Sequence, residues 1–254
     1  MKSTFINELQ DSSHTIVESF KSLRTNFLFC GTEYKSIVIT SCVKHEGKST
    51  ISIELARSLA LADKKVLLID ADLRKSVYAT RYTTNETEVI GLSEYLSSQA
   101  SLEDVLYSTQ EKNLNIVFAG AVPPNPVELL NSTKFKDMVN DFKTQYDFVI
   151  IDAAPLGAVI DAAVIGSFAD AAIMVIAANE IHCRHAQDVK EQLEKSGCKI
   201  LGAILNKVPL KSGSYYSGYY RKYYGRKYGT YGYGQLGGYG YGDDDNTKKK
   251  KKKK

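Results

Sequence analysis

From Ser41 to Thr50 the chain reads SCVKHEGKST. Glycine followed by lysine, serine and threonine is a phosphate-binding set. Gly47 lets the backbone approach an anion, and N–H groups opening the next helix face it. Lys48 reaches the terminal phosphates, and Ser49 offers a hydroxyl to Mg²⁺. Glu46, Gly47, Lys48, Ser49 and Thr50 are therefore the candidate nucleotide-binding residues. The loop departs from the common pattern in that Cys42 stands at its usual first glycine, with Lys44 and His45 where Pro or Gly is frequent. Two other stretches end in carboxylates: VLLIDADLR (66–74), with Asp70, Asp72 and Arg74, and FVIIDAAP (148–155), with Asp152. Transfer of a terminal phosphoryl group needs in-line positioning, a metal and a proton acceptor. Ser49, Asp72 and Asp152 suit Mg²⁺, held directly or through water, while Asp70 is left as the base. Lys48 neutralises charge on the moving group.

The second chemistry-bearing stretch is YYSGYYRKYYGRKYGTYGYG, residues 215–234. With the residues that follow, it contains Tyr215, Tyr216, Tyr219, Tyr220, Tyr223, Tyr224, Tyr228, Tyr231, Tyr233, Tyr239 and Tyr241. Each is a hydroxyl on an aromatic body that can pack in a cleft. Beside a phosphotransfer site these tyrosines read as acceptors, with glycine and serine between them leaving the backbone free to present each ring. Taken alone, such a tail reads as a self-associating or nucleic-acid-binding segment.

Placing these residues requires a scaffold. SIVIT (36–40), KVLLID (65–70), LNIVF (114–118), FVIID (148–152), AAIMVI (171–176) and ILGAIL (200–205) are near-continuous apolar runs, as strands buried on both faces are. Helices are expected over 48–62, 92–107, 126–145 and 184–195. The alternation predicts a doubly wound, mostly parallel α/β sheet of the P-loop NTPase type, whose strand ends put Asp70, Asp72 and Asp152 on the loop's edge. A helix over HTIVESFKSLRTNFLF aligns Ile16, Phe20, Leu23 and Phe27 on one face, with Glu18, Lys21 and Arg24 on another. Two parts are expected: a domain over 1–210 and a flexible tyrosine-rich tail over 211–254 that ends in seven lysines.

At 254 residues and 43% hydrophobic, the chain can bury one large core. It has no apolar run of membrane-spanning length, and MKSTFINELQ has no signal core, so a cytoplasmic protein is expected. The four cysteines form no CxxC pair. His182-Cys183-Arg184-His185 lacks zinc spacing and reads as a loop entering a helix. Residues 211–254 carry 12 Lys/Arg and 3 Asp, a charge of +9, against 21 Lys/Arg and 26 Asp/Glu, or −5, in the remainder. The two parts should attract.

Together these elements resemble the bacterial tyrosine autokinases of capsular and exopolysaccharide synthesis. The resemblance rests on the phosphate loop, Asp70-Ala-Asp72-Leu-Arg74, Asp152-Ala-Ala-Pro155, AGAVPPNPVELLNS (119–132), LGAILNKV (201–208) and the tyrosine cluster. It covers about residues 14–241. It implies an ATP- and Mg²⁺-dependent kinase that phosphorylates its own tail between subunits. It also implies a ring-like homo-oligomer, of octamer type, held through an ExxRxxR motif that here reads Glu18, Lys21, Arg24; lysine keeps the charge but loses bidentate geometry. Asn206 resembles the adenine-contacting residue. Further implications are a separate transmembrane activator of the polysaccharide co-polymerase type, which would hold the chain peripherally at the inner face of the membrane, and a cognate phosphotyrosine phosphatase; nucleic acid is not expected as a partner.

The principal rival is a partition or division-site P-loop ATPase with a membrane- or DNA-binding tail. Such ATPases usually carry a second lysine five residues before the loop lysine, where this chain has Val43. A second rival is a non-enzymatic scaffold, against which the intact Lys48, Ser49, Asp70, Asp72 and Asp152 argue.

Overall fold

The computed structural model describes residues 2–6, 14–78, 82–84 and 89–209. Contacts divide the chain into Met1–Val208 and Pro209–Lys254, and of the second unit only Pro209 is described. The tail tyrosines and the lysine run lie outside the described residues.

Along the chain come β1 (Lys2–Ile6), α1 (His14–Leu28), β2 (Ser36–Ser41), α2 (Lys48–Ala60), β3 (Val66–Asp70) and β4 (Tyr82–Thr84). Then follow α3 (Leu92–Leu96), α4 (Leu102–Val105), β5 (Leu106–Ser108), β6 (Leu114–Val117), α5 (Pro126–Leu130) and α6 (Thr133–Gln145). The last five are β7 (Phe148–Asp152), α7 (Asp161–Gly166), β8 (Ala171–Ala177), α8 (Cys183–Lys195) and β9 (Ile200–Asn206). One sheet runs β4-β1-β5-β6-β3-β7-β2-β8-β9. From β6 to β9 every neighbouring pair is parallel. These six strands are the six expected from the sequence.

The central strands are apolar throughout because each face meets helices. Val38, Leu67, Ile69, Val149 and Ile151 pack in the core layer that holds residues of α5 to α8. Ile37, Ile39, Leu68 and Ile150 pack in the other layer, with α2 and Phe27 of α1. Each such aliphatic side chain removed from water stabilises the fold by about 1.5–3 kcal/mol. Alternate residues therefore supply opposite layers, and a polar residue on either face would be left dry.

Three features differ from expectation. The helix expected over 92–107 is two short helices followed by β5. Ser98 adopts φ 63° and Ser101 caps α4 by accepting from Asp104 N–H, which breaks the helix. Beyond it, Tyr107 is fully buried, edge-on to Phe118 with ring centroids 5.0 Å apart, so packing draws the segment into the sheet. The helix expected over 126–145 divides at Asn131–Ser132, where Ser132 accepts from Phe135 N–H and starts α6. β1 and β4, both short, extend the sheet beyond β5.

Helix α1 is only half docked. Phe27 is buried against Phe148 at 5.1 Å between ring centroids, and Phe20 and Leu23 pack on the same layer. Ile16 and Val17 are exposed. Glu18 and Lys21 pair with each other in solvent at 2.8 Å. Arg24 turns toward the body, its Nη1 donating to the Ser58 carbonyl of α2 at 2.9 Å.

Candidate functional site

The loop from β2 to α2 is held by one of its own side chains. Glu46 is 1% exposed. Its Oε2 accepts from the N–H groups of Cys42 at 2.7 Å and Val43 at 2.8 Å, and its Oε1 accepts from Ala177 N–H, at the end of β8, at 3.0 Å. Asn206, ending β9, donates from Nδ2 to the Glu46 carbonyl at 2.8 Å. The backbone must turn sharply inside this brace. His45 has φ 69° and Gly47, the N-cap of α2, φ 89°. A Cβ on Gly47 would lie 2.2 Å from Asn206 Nδ2, so glycine is required there on two counts. The left-handed geometry of His45 explains why glycine is frequent at its place in other phosphate loops.

These bonds revise one expectation. The Glu46 carboxylate is turned inward as a brace, so only its backbone can serve a nucleotide. Cys42 is fully buried. Burial, and then the charge of Glu46, pushes its thiol up to about 12, which keeps it protonated.

Lys48, first residue of α2, reaches across to the β7 end, with its Nζ 2.9 Å from Asp152 Oδ1 and 3.7 Å from Asp72 Oδ2. It also donates to Ser49 Oγ at 3.3 Å. Burial alone would lower the lysine, but Asp152 and Asp72 hold it above its ordinary value, as the ammonium ion. The Ser52 hydroxyl lies 3.1 Å from the same Asp152 oxygen and 3.0 Å from the Lys48 carbonyl. Asp152 Oδ2 is buried and has no hydrogen-bond partner among the described residues. A dry, unpartnered carboxylate oxygen is costly, and with Ser49 Oγ and the Asp72 carboxylate it gives the hard oxygen donors that suit Mg²⁺.

Asp70 and Asp152 are direct cross-strand partners of β3 and β7. Asp70 is fully buried. Burial first, then the charge of Asp152, raises its carboxyl to about 8. Its oxygens accept from Asp72 N–H and the Ser76 hydroxyl. Arg74 makes a two-point ion pair with Asp161, Nε–Oδ2 at 2.8 Å and Nη2–Oδ1 at 3.0 Å, fastening the β3 exit to the start of α7.

The structure thus gathers Lys48, Ser49, Asp70, Asp72 and Asp152 at one sheet edge, with Thr50 in the first turn of α2 and Asn206 against Gly47. Glu18, Lys21 and Arg24 stand apart on α1. Sequence reasoning missed Ser52, Ser76 and Asp161, and also Tyr78, whose hydroxyl donates to the Ser49 carbonyl at 3.1 Å. Only Asp161 had a usable signal, a lone charge opening the apolar run DAAVIG.

A phosphate loop at the end of a central parallel strand, with carboxylates ending the two strands beyond it, defines a P-loop nucleotide-binding domain. Residues 35–197 match the AAA domain family. The chain is 42% identical over 198 residues to the tyrosine-protein kinase CpsD of Streptococcus agalactiae serotype Ia, covering 78% of this chain and 85% of the relative. The kinase domain of the Escherichia coli tyrosine kinase ETK superposes with a TM-score of 0.71 at 34% identity, covering 79% of this chain and 80% of that one. The septum site-determining protein MinD of Pyrococcus horikoshii, solved with Mg-ADP, superposes at 0.58 and 28% identity, over 70% of this chain and 72% of that one. The chain belongs to the bacterial tyrosine-protein kinase family, and its likeness to the division-site ATPases is the more distant one.

Proposed function

We propose that this tyrosine kinase transfers the γ-phosphoryl group of ATP to tyrosines of its own tail, Tyr215 to Tyr241, and through this governs capsular or exopolysaccharide synthesis. The observation that carries the reading is the convergence of Lys48, Ser49, Asp72 and the unpartnered Asp152 oxygen at the edge of a phosphate loop, in a chain with eleven closely spaced tyrosines. The tail supplies the acceptor and the edge supplies the donor site.

Lys48 gives up Asp152 and moves to the terminal phosphates, carrying its positive charge to the group in transfer. Ser49, Asp72 and Asp152 would hold Mg²⁺, which when bound neutralises phosphate charge. The tyrosine oxygen bonds to the γ-phosphorus as the bond from that phosphorus to the β–γ bridging oxygen breaks; ADP leaves, and the phenolic proton goes to Asp70. The Ser76 hydroxyl already donates to Asp70 as an acceptor hydroxyl would. Glu46, Asn206 and Arg74 keep the loop and the strand ends in place.

The family resemblance supports a set of partners: copies of this chain in a ring through the Glu18, Lys21 and Arg24 face, a transmembrane activator, and a phosphotyrosine phosphatase. Among the described residues no helix is long and apolar enough to cross a membrane, so attachment at the inner membrane face is assigned to the activator. Mass spectrometry after incubation of the full chain with Mg·ATP tests the reading. Phosphotyrosine is expected in 215–241 and absent in Lys48→Met. Labelled γ-phosphate released to water, with an unmodified tail, would instead make the protein an ATPase.

A further inference from the structure

At the edge where transfer takes place, the strand order is β6, β3, β7, β2. The phosphate loop leaves β2, and Lys48 points from it toward Asp152 of β7 and Asp72 beyond β3. The carboxylates assigned to Mg²⁺ end β7 (Asp152) and follow β3 (Asp72), so a metal-bound terminal phosphate would lie on the β7 and β3 side. In-line attack brings the acceptor from the side opposite the leaving group, over the exits of β3 and β6. Two exposed apolar side chains stand on the loops that leave the strands on either side of β3: Val122, 70% exposed on the loop leaving β6, and Ile160, 52% exposed on the loop leaving β7. The short helices that follow these loops, α5 and α7, pack on each other. α5 carries the exposed carboxylate of Glu128. Its charge reaches Arg74, whose cation is favoured first by the Asp161 hydrogen bonds and also by Asp72 and Glu128.

Apolar contacts with a carboxylate beside them fit an aromatic ring next to a basic residue. The tail offers that chemistry in one half only. Residues 215–228 hold seven tyrosines interleaved with Arg221, Lys222, Arg226 and Lys227, whereas 229–242 hold four tyrosines and no basic residue, followed by Asp243, Asp244 and Asp245.

We propose that Val122, Ile160 and Glu128 form the acceptor subsite of the kinase, and that it selects the basic half of the tail, Tyr215 to Tyr228. This rests on the reading of the tail as substrate. Val122 and Ile160 bear on the ring, and Glu128 takes a neighbouring Lys or Arg at the rim. A solvent-rim charge pair of this kind is worth about a three-fold preference, screened by salt.

The test is time-resolved phosphopeptide mapping of the full chain with Mg·ATP. Tyr215–Tyr228 should gain phosphate about three-fold faster per tyrosine than Tyr231–Tyr241 at low salt, with the difference fading as salt rises. Glu128→Lys should abolish the preference, and replacing Arg221, Lys222, Arg226 and Lys227 by Glu in that variant should restore it. Val122→Ser should slow both halves alike. A wild-type tail that gains no phosphotyrosine overturns the substrate reading itself. A tail phosphorylated at equal rates in both halves, or a preference unchanged by Glu128→Lys, overturns the subsite and leaves the substrate reading standing.

Discussion

Lys48 with Asp152 and Lys21 with Glu18 are the same chemical pair at nearly the same length, 2.9 and 2.8 Å. Their side chains are 7% and 0% exposed in the first pair, and 54% and 50% in the second. The first lies at a sheet edge where two further carboxylates crowd in; the second lies along one helix face in water. In solvent, each ion's hydration competes with the pair, and little is gained by forming it. In the site, hydration has already been lost, so each charge depends on its protein partners. Both are lysine–carboxylate pairs, but burial makes one indispensable to its surroundings and leaves the other able to exchange its partner.

Breaking the buried pair tests this most severely. Asp152→Ala should abolish tail phosphorylation and lower stability by about 3 kcal/mol, because it strands the Lys48 ammonium in a dry site. A urea midpoint equal to that of the wild type would show that Asp72 alone suffices for Lys48. Glu46→Ala comes next. It removes the acceptor for three N–H groups, two of them buried, and should cost about 2 kcal/mol. It should also weaken Mg·ATP binding about ten-fold by calorimetry, since the loop loses its brace and with it about 1.4 kcal/mol of preorganisation. Glu46→Gln keeps an acceptor oxygen and should lose markedly less of both.

Lys143 with Asp170 is an intermediate case, its side chains 26% and 21% exposed. Burial would raise the Asp170 carboxyl, but Lys143 and the N–H groups of Ser36 and Lys35 hold it below the ordinary carboxylate range. A carboxylate depressed in the folded state contributes stability above its unfolded pKa and loses it as pH falls through the folded value. Asp170→Asn should therefore cost about 1 kcal/mol at neutral pH, kept small because the pair is partly open to water. The difference from wild type should vanish below the acid limb, as followed by thermal melts from pH 7 downward. Smallest of all, Lys21→Ala should change monomer stability by less than about 0.5 kcal/mol. If the α1 face joins subunits, the same substitution should show instead as a smaller assembly in light scattering. A stability loss as large as that of Asp152→Ala would erase the comparison.

The order of the layers and the site's charged residues could be read from the chain because both depend on local pattern. Continuous apolar runs announce strands covered on both faces, and a parallel sheet puts every strand's exit on one edge, so Lys48, Ser49, Asp70, Asp72 and Asp152 had to converge. Tertiary structure alone decided who faces whom. Glu46 bonds Ala177 across 131 residues, and Arg74 bonds Asp161 across 87. No periodicity records such separations, and neither the inward turn of Glu46 nor the pairing of Arg74 follows from residue type. The same holds for β5. Leu106–Ser108 is too short for pattern to distinguish helix from strand, and it joins the sheet because Tyr107 finds a dry place against Phe118. Local sequence determines what an element can be and which way its faces point. Desolvation, which depends on all the elements at once, decides which polar groups must find each other.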